Sequence, residues 1–103
     1  MIQEAAIELG RARRYMVLHI TSVKDSRGYH RTPVSADGKG FPDLLFVGRK
    51  VVAVEVKGDG DKITPEQERW LAQFEKAGIE TLLLTSKDYR TRGLDELEAL
   101  LDR

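Results

Sequence analysis

Apolar residues recur along this chain at two periods, and the switches between them divide it into helices and strands. Ile2, Ala5, Ala6, Leu9 and Ala12 return every three or four positions, which predicts a helix from residue 2 to about 14. Residues 15–22 (YMVLHITS) are apolar and β-branched enough for a strand. Two further β-prone runs, 44–47 and 51–57, flank Gly48-Arg49-Lys50 and predict a hairpin. In the second run Val52, Val54 and Val56 share one face, while Val51, Ala53, Glu55 and Lys57 share the other. Both faces are largely apolar, as expected of a central strand covered by helices.

The next helix carries its own punctuation. Thr64 fits the N-cap, Pro65 the first turn and Gln67 the reciprocal capping position. Ile63, Trp70, Leu71, Phe74 and Ala77 form its apolar stripe, and Gly78 suits its C-terminal cap. Residues 79–85 (IETLLLT) read as a strand, and strand, helix, strand implies a right-handed crossover with parallel pairing. Residues 93–103 predict a short amphipathic helix with Leu94, Leu97, Leu100 and Leu101 on one side. The expectation is an α/β fold, α-β-β-β-α-β with a central mixed sheet flanked by helices and an added C-terminal helix, as one domain over residues 1–103.

Residues 24–39 show no periodicity and read as a long loop. Its basic members Lys24, Arg27, His30 and Arg31 would suit a phosphate-contacting flap, and a solvated polar loop is the competing reading. The chain's 17 basic and 17 acidic residues cancel, which argues against a strongly basic nucleic-acid coat. The balance is uneven: the first third holds Arg11, Arg13, Arg14, Lys24, Arg27 and Arg31 against Glu4, Glu8 and Asp25. Without cysteine, disulfides and thiolate metal sites are excluded. No apolar run approaches the roughly 20 residues of a membrane span, so the chain reads as a soluble, cytoplasmic protein.

Candidate chemistry gathers at the hairpin. Asp43 stands at the mouth of one strand, and Glu55 and Lys57 lie side by side near the end of its partner. Two carboxylates with a backbone carbonyl and waters suit a hard cation such as Mg²⁺, and the neighbouring amine could orient a water or stabilise charge on a phosphate. A surface ion pair is the bland reading of Glu55 and Lys57. Against it stand the burial pattern of their strand, the preceding Pro42-Asp43 and the capped helix that follows. Gly58-Asp59-Gly60-Asp61 lacks the ligand spacing of an EF-hand and the Gly-Lys-Ser/Thr of a phosphate loop.

Pro42-Asp43 followed by Glu55-Val56-Lys57 in this element order resembles the PD-(D/E)XK nuclease superfamily. More narrowly, Gly40-Phe41-Pro42-Asp43-Leu44, Val54-Glu55-Val56-Lys57 and Thr64-Pro65-Glu66-Gln67 with Trp70-Leu71 are similar to the VRR-NUC family, particularly its small stand-alone phage members. The resemblance implies a Mg²⁺- or Mn²⁺-dependent DNA endonuclease, in the host cytoplasm if phage-encoded. It implies Asp43 and Glu55 as metal ligands, the Val56 carbonyl as a further ligand and Lys57 as the catalytic lysine. Gln67 matches the family's helix glutamine near the site, with a purely capping role as the equal alternative. His19 matches a polar position on the first strand, where packing near a sheet edge accounts for it as well. The family's first-helix Glu would fall before residue 1 when its Gln is aligned with Gln3; either the chain begins too late to contain it, or Glu4 or Glu8 takes its place, and Glu4, nearer the helix start, is the choice. By analogy with small junction-cleaving members, a homodimer acting on branched DNA such as four-way junctions is expected, joined by the C-terminal leucine stripe or an exposed sheet edge. A flap, nicking or restriction-type nuclease, or a non-catalytic nucleic-acid-binding module, is the alternative.

Overall fold

A computed structural model describes residues 2–20, 23–24, 30–31 and 36–103, with backbone alone described at 23–24 and 30–31. The first helix, α1 (Ile2–Ala12), ends two residues earlier than its apolar period suggests. Its stop is a backbone motif: Arg14 takes φ 68°, the Tyr15 N–H reaches back to the Gly10 carbonyl at 2.9 Å, and the Arg14 N–H reaches Arg11 at 3.0 Å. This reversal turns the chain directly into β1 (Met16–His19). The expected first strand over 15–22 is therefore shorter, and Tyr15 is a buried core residue.

β1, β4 (Leu44–Val47), β5 (Val51–Lys57) and β6 (Glu80–Thr85) form one four-stranded sheet in the order β1-β4-β5-β6. β4 and β5 are the predicted hairpin, in register Val47↔Val51 to Leu44↔Val54. β5 and β6 pair in parallel, as the crossover through α2 (Pro65–Lys76) requires. β2 (Val23–Lys24) and β3 (His30–Arg31) make a separate two-stranded ladder inside the stretch read as a loop. The proposed phosphate-contacting side chains of that stretch lie outside the described residues.

The core lies on one face of the sheet. Leu44, Phe46, Val52, Val54 and Leu84 point into it, covered by Ala6 of α1 and by Leu97, Leu100 and Leu101 of α4 (Asp95–Asp102). Burying each such leucine stabilises the fold by about 1.5–3 kcal/mol. Close approach of α1 depends on Gly10, because a Cβ there would come within 2.5 Å of the Phe46 ring. Tyr15 and Arg49 both donate to the Leu101 carbonyl, which holds the last turn of α4 in place. The C-terminal leucines, expected as one possible subunit contact, are thus buried inside this core.

Residues 86–92, which the periodicity left unassigned, form α3 (Ser86–Arg92). Thr85 caps it by accepting from the Asp88 N–H at 3.0 Å. Among the described residues, no helix is long and apolar enough to cross a membrane.

Candidate active site

The second face of the sheet carries the chemistry. Extending the Leu44↔Val54 pairing by one residue sets Asp43 opposite Glu55, and the Asp43 carbonyl accepts from the Ile20 N–H at 2.9 Å. Asp43 Oδ2 accepts from the Val56 N–H at 2.9 Å, so the backbone of β5 fixes this carboxylate. The approach to Asp43 is shaped by Gly40, whose φ of +84° and close contact with α2 leave no room for a side chain.

Glu55 is 1% exposed, and it is the buried charged residue of the core strand. Gln67 Nε2 donates to its Oε1 at 3.2 Å, whereas its Oε2 has no hydrogen-bond partner among the described residues. Burial first, then the neighbouring charge of Asp43, push the Glu55 carboxyl up to about 8; the charge of Lys57 pulls the other way. Lys57 is half-buried on the same face as Glu55, and its carbonyl accepts from Ser86 Oγ at 3.5 Å.

Gln67 closes the helix cap and also touches Glu55. Its Oε1 accepts from the Thr64 N–H at 2.8 Å while the Thr64 hydroxyl accepts from the Gln67 N–H at 3.2 Å, closing the capping box. The same amide turns its nitrogen to Glu55. Its orientation follows from chemistry: the Thr64 N–H can only donate, so the amide oxygen must face it, and the donor then faces the carboxylate.

Glu4 and Glu8 stand exposed on α1. Among the described residues, no three Asp, Glu or His side chains are placed to hold one metal ion together, so neither is grouped with Asp43 and Glu55. His19 is exposed on the edge strand β1, opposite Leu44.

The donor set fits a divalent cation. Two carboxylates facing one another, one with a buried oxygen left without a partner, form an anionic pair that a hard cation would neutralise.

Sequence reading missed α3 and its tie to the site: Arg90 grips Asp59 through both guanidinium nitrogens at 3.0 and 3.1 Å, bracing the loop that follows Lys57. The signal was present as Thr85-Ser86-Lys87-Asp88, a capping pattern at a strand end.

An α/β core with a mixed sheet, an aspartate entering one central strand and a Glu-x-Lys closing the next is a PD-(D/E)XK-like nuclease core. The VRR-NUC domain profile matches residues 5–88, and the chain belongs to the VRR-NUC family of nucleases. A stretch of 43 residues is 46% identical to a Fanconi-associated nuclease 1 homologue of Caenorhabditis elegans. That match covers 39% of this chain and 5% of the relative's length. No solved structure gives a significant match.

Proposed function

We propose that this domain is a Mg²⁺- or Mn²⁺-dependent endonuclease that hydrolyses phosphodiester bonds in branched DNA, four-way junctions included, as a homodimer. The observation that carries the reading is the buried Glu55 carboxylate, with one oxygen unpartnered, set beside Asp43 at the end of a central strand. Natural folds seldom bury such an acid without an ion or a catalytic use.

Asp43, Glu55 and the Val56 carbonyl would hold the cation, with solvent and substrate oxygens in place of the expected Glu4. When bound, such an ion lowers the pKa of a coordinated water and neutralises charge on the phosphate. The chain's own residues set the stage for this. Gln67 holds Glu55 in one orientation, the Val56 N–H does the same for Asp43, and Lys57 supplies a cation where negative charge develops on the scissile phosphate. The two-fold assembly draws support from the edge strand β1, where Met16 and Leu18 are 79% and 50% exposed.

The test is cleavage of duplex, flap, splayed-arm and four-way-junction DNAs in Mg²⁺, Mn²⁺ or EDTA, alongside Asp43→Ala and Glu55→Ala. Metal-dependent cutting of branched substrates that both substitutions abolish is the expected result. Binding without cleavage under every condition would sink the nuclease reading. A monomer by light scattering at micromolar concentration would remove the dimer.

A further inference from the structure

A second concavity, which the site above does not use, opens along α2. It measures about 380 Å³, lies between residues 36–39 and the helix, and has Trp70 as its aromatic wall. That volume is within the roughly 300–1,000 Å³ of small-molecule sites. The indole is held in place: Nε1 donates to the carbonyls of Asp37 and Lys39 at 2.9 and 3.2 Å, and Phe41 meets the ring edge-on at 5.0 Å. A ring already fixed loses little freedom when a ligand stacks on it.

The charges of the lining decide what it could bind. Lys39 and Arg69 are balanced by Asp37 and Glu66, and Lys39 Nζ lies 3.9 Å from Glu66. Among the described residues, the balanced wall has no surplus of cations to hold a phosphate. Donors from Arg69 and Gln73 and acceptors from Glu66 and Gln73 instead surround an aromatic face, which suits a planar, neutral heterocycle. Trp70 is three residues beyond Gln67, about 4.5 Å along the helix. The cleft and the contact to Glu55 are therefore carried by the same helix, about one turn apart.

We propose that this cleft receives one unpaired base of the strand being cut, stacked on Trp70 with its edge against Arg69, Glu66 and Gln73. The inference rests on the nuclease reading and adds a basis for substrate choice. Taking a base out of its stack costs least where it is already unpaired, as beside a flap or branch point. Capture of that base on the helix that also reaches Glu55 selects such structures over plain duplex.

The chain has a single tryptophan, so its intrinsic fluorescence reports on this cleft alone. Wild-type protein in EDTA is titrated with a flap DNA and with the same DNA made abasic at the unpaired nucleotides beside the branch. Intact DNA is expected to quench Trp70 and to bind about tenfold more tightly than the abasic DNA, the scale of one base stacked on an aromatic ring. Arg69→Ala and Gln73→Ala, both exposed on α2, should weaken binding of intact DNA and leave the abasic DNA unaffected; these variants keep the question decidable if Trp70→Ala does not fold. Equal quenching and affinity with the abasic DNA overturns the proposal. Quenching by adenosine monophosphate with the affinity of the flap DNA overturns the strand-borne base in favour of a free nucleotide. Cleavage in Mg²⁺ is scored separately: equal cutting of both DNAs removes the base subsite and keeps the nuclease, whereas base-dependent quenching without cutting of any DNA keeps the subsite and removes the nuclease.

Discussion

Gln67 and Glu55 meet across 3.2 Å through an amide whose orientation is set by the helix cap rather than by the site. The helix cap and the contact to the buried acid are joined in one side chain, and substitutions can separate them. Gln67→Glu retains a capping-box acceptor but loses the donor to Glu55 and adds a third carboxylate; Gln67→Ala loses both. The cap contributes about 0.5–2 kcal/mol. Thermal melts should therefore fall by several degrees for the alanine variant, while cleavage should fall in both. Full activity in a stably folded Gln67→Glu would remove its positioning role.

The raised carboxyl of Glu55 predicts that the metal-free protein weakens as pH rises. In the unfolded chain this acid ionises near 4.5, and in the fold near 8. Between those values the folded state keeps a proton that the unfolded state has released. Stability is unaffected by this group below the window, declines through it, and carries the full penalty above it. Melts in EDTA at pH 6 and pH 8 should show the loss, and Glu55→Gln should flatten it. Divalent cations must displace the same proton, so their stabilising effect should grow toward pH 8. A wild-type protein equally stable at both pH values in EDTA would contradict the assignment.

Lys57 is half-buried at a strand end, so its removal should cost activity more than stability. Loss of a positioned charge of this kind typically slows the reaction by about 10²–10³-fold. Lys57→Ala is expected to melt close to wild type and to cut junction or flap DNA at least a hundredfold more slowly in single-turnover assays, by the same scale. An unchanged rate would exclude its catalytic role.

Gly10→Ala places a methyl group 2.5 Å from the Phe46 ring. Overpacking of that order costs about 1–3 kcal/mol, and each 1 kcal/mol lowers Tm by about 4–8 °C in a domain of this size. Differential scanning calorimetry reads the effect directly. A neutral result would show that α1 can ride away from the sheet at no cost.

Arg14 presents the opposite case. It is exposed and holds φ 68° at the end of α1, where glycine is the usual occupant. Arg14→Gly should raise stability by up to about 1 kcal/mol, the strain of an L residue in this region. A lower denaturation midpoint with an unchanged m-value would refute this.

Much of the frame was legible because its signals are local. The capping box at Thr64 and Gln67, the Gly78 cap at φ +82° and the hairpin around Gly48 each arise from neighbours in sequence. The same logic misplaced the end of α1, because an arginine adopted the conformation that sequence rules reserve for glycine. α3 went unread because its cap begins inside the strand that precedes it, at Thr85.

By itself, the sequence determined the order of the main-sheet strands and of α1, α2 and α4, the two faces of β5 and the candidacy of Asp43, Glu55 and Lys57. These follow from the periods of two and 3.6 residues that the backbone imposes on side chains. Only the tertiary structure decided which groups meet. The turn of Gln67 toward Glu55, the distance of Glu4 from that pair and the cleft over Trp70 depend on how separate elements pack. Glu55 is a perturbed acid because the fold buries its carboxylate beside the charge of Asp43. Desolvation belongs to the packed assembly, and no residue carries it alone.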